Sequence, residues 1–284
     1  MNQKAFSIFV GVIMTLSMLA GYVMIGGQNN NAPMAASSTS LETFGVQGRM
    51  VDWSFNSLSD VLEMAPNNTV MAYWINLSAS QNLTDAARAV LPQSFALNYG
   101  RQLYPVEIEK AAAVYFNNTW TEFHWIRPFH VGYNGLVLPY QDFMMIPSSG
   151  GYASVMGMPT LFGPQDALKS VLDVIVGAMP TDNFTMPTGE EADLQLAALG
   201  TEGSTQGGDF REFYLGVSRS KAGVDGGYNI TAKYLLPGVG TEQKAEEIAG
   251  KYGLAYSTKG SGMDVSGSVA AGDLKSVLMA FLEP

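Results

Sequence analysis

No cysteine occurs in the 284 residues, which excludes a disulfide framework, a zinc finger, an iron–sulfur cluster, a c-type haem and a thiol nucleophile. Histidine is nearly as scarce, and acid–base or metal chemistry based on it has only His124 and His130 to draw on. Charge is sparse too: 15 Lys and Arg against 25 Asp and Glu leave a net charge of -10, and no basic run offers nucleic acid a foothold. There is no G-x-S-x-G, and the Gly-rich stretches lack the lysine of a P-loop. The composition calls for no cofactor and argues against most enzyme classes.

What is present is apolar. A hydrophobic fraction of 47% with 11% aromatic residues suits a folded core. Ala5 to Ile25 is an uncharged, largely apolar run, long enough as a helix to span about 31 Å. Lys4 is the only side-chain charge ahead of it, and the next basic residue is Arg49. This pattern predicts a transmembrane anchor over residues 1–25, a cytoplasmic N-terminus and an extracellular remainder at the cell membrane. A cleaved signal peptide is the competing reading. Lys4-Ala5 before a long apolar helix also resembles the short leader peptides of archaeal pilins, which would imply processing there. Residues 26–42 are polar and aperiodic, as in a tether.

Six N-x-[ST] sequons, at Asn67, Asn76, Asn82, Asn117, Asn183 and Asn229, all follow the apolar run and predict a glycosylated exterior. A cysteine-free exterior domain suits an archaeal surface better than a eukaryotic one.

Strand-like and helix-like pieces then alternate. Val70–Leu77 and Tyr152–Met158 read as strands, and Asn82–Leu91 and Gln165–Val176 as helices, the former capped by Asn82 or Thr84. Further on, Phe210–Val217 and Tyr228–Leu236 read as a hairpin, Thr241–Tyr252 as a Thr-capped helix, Met263–Val269 as a strand and Gly272–Leu282 as a helix. Leu168-Lys169-Ser170-Val171-Leu172 recurs as Leu274-Lys275-Ser276-Val277-Leu278, each time after a strand. Either common residues coincide or the chain is duplicated. Duplication predicts an α+β protein of two ferredoxin-like two-layer modules, 43–200 and 210–284, joined by a Gly-rich linker at 201–209. The first module would carry an aromatic insertion at about 100–151.

Both histidines fall in that insertion. On a strand Glu122 and His124 share a face, and with His130 they are candidate metal ligands. Trp120, Trp125 and Phe129 are candidates for a partner interface. The function this predicts is a non-catalytic, membrane-anchored, glycosylated subunit of a cell-envelope or membrane complex, with a protein partner. An exterior binding protein for a small ligand or metal is the alternative, followed by a surface hydrolase.

Overall fold

The computed structural model describes residues 48–282 except 129–136, 187, 189–190, 201–208 and 221–225. It begins with a two-residue strand β1 (Val51–Asp52), a short helix α1 (Leu58–Leu62) and β2 (Thr69–Asn76). Helices α2 (Gln81–Val90) and α3 (Phe95–Leu103) lead into a hairpin of β3 (Glu107–Phe116) and β4 (Thr119–Arg127). Short strands β5 (Leu138–Tyr140), β6 (Phe143–Pro147), β7 (Tyr152–Val155), β8 (Gly157–Met158) and β9 (Thr160–Pro164) precede α4 (Gln165–Val176). The rest is β10 (Leu194–Leu199), β11 (Glu212–Arg219), β12 (Tyr228–Leu235), α5 (Val239–Tyr252), β13 (Ala255–Lys259), β14 (Gly262–Val269) and α6 (Leu274–Leu282).

Local chemistry sets many of these boundaries. Ser57, Ser80 and Ser94 hold extended backbone at the starts of α1, α2 and α3, and their hydroxyls accept from Asp60, Leu83 and Leu97 N–H. Gly253 closes α5 in the left-handed conformation, at φ 67°. Asn117 and Asn118 turn β3 into β4 at φ 48° and 58°, the two positive angles that a tight hairpin needs.

Among the described residues twelve strands form one sheet in the order β13-β14-β12-β11-β10-β2-β3-β4-β9-β7-β6-β5. Every pairing in it is antiparallel. β1 and β8 make a separate parallel pair. Side chains alternate between two cores, as strand geometry requires. On the first face Tyr73, Ile75, Ala111, Ala113, Leu194 and Leu215 pack beneath α2, α3, α5 and α6. On the opposite face Ala72, Trp74, Ala112, Val114, Ala197 and Tyr214 meet α1 and α4. Each large apolar side chain so buried contributes roughly 1.5–3 kcal/mol.

This architecture corrects the expected fold. It is one large antiparallel sheet with helices on both faces, and not a pair of ferredoxin-like modules. The repeated pentapeptides are helical in both places, but Leu168 in α4 packs on the opposite face and Leu274 in α6 on the first. Their likeness is that of two amphipathic helices, and the internal repeat falls. Residues 100–151 are no appendage, because they supply β3 and β4 near the middle of the sheet.

The single-pass, signal-anchor reading is likewise corrected, together with the cell-membrane localisation drawn from it. No helix among the described residues is long and apolar enough to cross a membrane. Ala5 to Ile25 and the pilin-like leader lie outside the described residues.

Candidate functional site

The candidate ligands Glu122 and His124 do share one face of β4, as the two-residue period predicts. There they are 1% and 0% exposed and bonded to each other, His124 Nε2 lying 2.8 Å from Glu122 Oε2. A carboxylate can only accept, so Nε2 donates. In the neutral ring Nδ1 then accepts from the Tyr104 hydroxyl at 2.9 Å. The free end of α3 uses the rest of the carboxylate. Phe95 N donates to Oε1 at 2.7 Å and Ala96 N to Oε2 at 2.9 Å, while Ser94 Oγ takes Leu97 N. A negative charge placed at a helix N-terminus satisfies its unpaired N–H groups and opposes its dipole.

A hydroxyl, an imidazole and a carboxylate in a row have the order of a nucleophile, a base and an orienting acid. The environment works against that use. Burial and the charge of Glu122 push the Tyr104 hydroxyl well above its usual pKa of 10.0, which keeps it protonated. The same two causes, in the same order, raise Tyr73 and Tyr115, which neighbour Glu122 on the first face. Glu122, His124 and Tyr104 line none of the three surface grooves described below. Among the described residues no three His, Cys, Asp or Glu side chains are grouped to hold a metal, and His130 lies outside them.

Two more buried polar residues fasten the opposite face. Gln195 Oε1 accepts Leu58 N at 2.8 Å, tying the start of α1 to β10. Glu212 accepts Thr185 N, Thr185 Oγ1 and Met186 N at 2.8–2.9 Å, tying that segment to β11. Neither signal was legible in the sequence, because each acceptor serves a donor far away along the chain.

The predicted interface residues do not come together. Trp120 points to the first face, among Phe95, Tyr152 and Phe162 at centroid distances of 5.4–6.1 Å. Trp125 points to the opposite face and stacks on Phe55 at 6.3 Å. Lys110 Nζ and the Arg127 guanidinium stand over its ring at 5.5 and 6.0 Å. Both tryptophans are half-buried, and Phe129 lies outside the described residues.

Three of the surface grooves among the described residues lie near these elements. One of about 470 Å³ runs between α2, α3 and the start of β3, with Leu97 and Ile108 among its lining. A second, of about 610 Å³, sits between the β3–β4 turn and the start of α4. The third, of about 940 Å³, is walled by Asn56, Asp193, Ser218, Arg219, Asn229 and Ser268. Asn67, Asn82, Asn117 and Asn229 are exposed, whereas Asn76 and Asn183 are half-buried.

Neither a family model nor a curated protein matches this chain. Two crystal forms of TP0453 are similar in structure. Form III has a TM-score of 0.49 at 11% identity, covering 76% of this chain and 96% of that one. Form I has a TM-score of 0.48 at 10% identity, covering 78% and 97%.

Proposed function

We propose that this protein is a non-catalytic, glycosylated accessory protein of the cell envelope that acts by binding a protein partner through the face of β4 that carries Trp125 and Arg127. The observation supporting this is how β4 divides its chemistry. Its inward acid–base pair, Glu122 and His124, is closed on itself, on Tyr104 and on the start of α3. On the other face, at the end of the strand, half-buried Trp125 is flanked by exposed Arg127 and by Lys110 of β3, an aromatic ring between two cations, the combination that anchors protein interfaces. The exposed sequons support the envelope setting.

Photo-crosslinking from position 127 in native cells tests the proposal. A single protein adduct, lost when Trp125→Ala is combined with the probe and absent when the probe sits at Lys275, is the expected result. Equal adducts from both positions, or none, would overturn it.

A further inference from the structure

Among the described residues, neither core covers the far end of the sheet on one of its faces. Past β11, on the opposite face, neither core contributes a residue from β12, β14 or β13. The register places Asn229, Thr231 and Lys233 of β12 beside Ser268, Ser266 and Asp264 of β14, and Ala255 and Ser257 of β13 beside Ser266 and Asp264. All are exposed or half-buried. Small hydroxyl residues dominate this shelf, although β-branched and aromatic residues suit strands better. A shelf three strands wide and about eight residues long measures on the order of 400 Å². A stable protein interface needs about 800 Å² from each partner, so neither a second copy nor another protein fits this face alone.

At one end of the shelf stands the sequon Asn229-Ile230-Thr231. Asn229 Oδ1 accepts from Ser268 Oγ at 2.6 Å, which turns Nδ2 away from its neighbour on β14. The 940 Å³ groove opens beside it, and Asp193, Ser218, Arg219 and Ser268 offer the donors and acceptors that sugar hydroxyls require. Asn76 differs: its Nδ2 donates to Asp193 Oδ1 and its Oδ1 accepts Ser78 N.

We infer that Asn229 carries a glycan whose first sugars sit in this groove and whose outer sugars cover the bare strands. This rests on the glycoprotein reading above and assigns one of its sites a structural role. The transfer requires a lipid-linked glycosyl phosphate as donor. Asn229 Nδ2 forms the bond to the anomeric carbon, the bond from that carbon to the phosphate oxygen breaks, the lipid phosphate leaves with the electron pair, and one amide proton passes to the transferase base. The sugar closes the sheet where no described helix does.

The test compares the chain purified from its native host with the same chain made in a host lacking N-glycosylation. Glycopeptide mass spectrometry reads all six sequons, and acetylation rates are measured at Lys233, on the shelf, and at Lys275, on α6. A glycan at Asn229 and several-fold slower labelling of Lys233 in the native protein, with Lys275 unchanged, is expected. Thr231→Ser should keep this difference and Thr231→Ala should abolish it; Asn229→Gln serves if Thr231→Ala does not fold. A bare Asn229 beside modified Asn67, Asn82 or Asn117 overturns the inference and leaves the glycoprotein reading standing. Six bare sequons overturn both. A modified Asn229 with unchanged Lys233 labelling overturns the covering.

Discussion

Glu122 shows how much one side chain holds together. Its two oxygens serve His124 and two backbone N–H groups, the bonds to His124 and Ala96 buried and that to Phe95 partly so. Glu122→Ala strands those donors, and removing one member of such a buried set costs about 3–5 kcal/mol. For a domain of this size that lowers the melting temperature on the order of 10 °C, measurable by calorimetry. Tyr104→Phe removes a single hydroxyl from His124 and should cost about 1–2 kcal/mol. The buried tyrosines also predict a pH dependence. Tyr73, Tyr104, Tyr115 and Tyr234 have hydroxyl pKa values raised chiefly by burial, so the folded state holds these protons after the unfolded chain has begun to release them. Their contribution to stability is full below about pH 10 and declines as pH rises through and above it. Urea midpoints that do not fall between about pH 9 and pH 11 would contradict this. That Glu122 and His124 share a face was legible from the two-residue period. Their closure on Tyr104 was not, because α3 and its following turn had no recognised signal to bring Tyr104 there.

Individual elements were the most legible scale. Gln165–Val176 is helical over the range its apolar spacing predicts, and α5 ends at Tyr252 as expected. The caps moved. Ser80 holds α2, where Asn82 or Thr84 was expected, and Thr241 Oγ1 donates to Asp209 O while Gly238 occupies the cap of α5. Pairing between elements stayed hidden, since hydrogen-bond partners in a sheet leave no local pattern. The β1–β8 pair illustrates this. Val51 N donates to Met156 O at 3.0 Å, and a Cβ added at Gly157 would lie 2.4 Å from Val51 O and 2.5 Å from Val51 Cβ. Gly157→Ala should therefore push the β1 segment off β8 and cost about 1–3 kcal/mol. Earlier proteolysis near Val51, with most of the melting transition retained, is the expected observation. Gln195→Leu leaves Leu58 N without its acceptor and should cost about 1–3 kcal/mol by the same assay.

On the scale of the molecule, β10 joins β2 to β11, so the early and late parts of the chain share one sheet within the unit Ser40–Pro284. Thermal unfolding should give one calorimetric transition with matching van't Hoff and measured enthalpies; two separated transitions would show that the halves fold apart. No reading of local periodicity foretells a strand order that sets β2 between β3 and β10. That order also has a consequence during synthesis. β3 reaches β2 after two helices, but Leu194, which faces Ile75, is made more than a hundred residues later. Until then Val70–Ile75, an apolar strand, waits with one edge open, and such edges seed intermolecular pairing. Chains halted on the ribosome before Leu194 should sediment as aggregates or be held by chaperones, whereas chains halted after Leu199 should not.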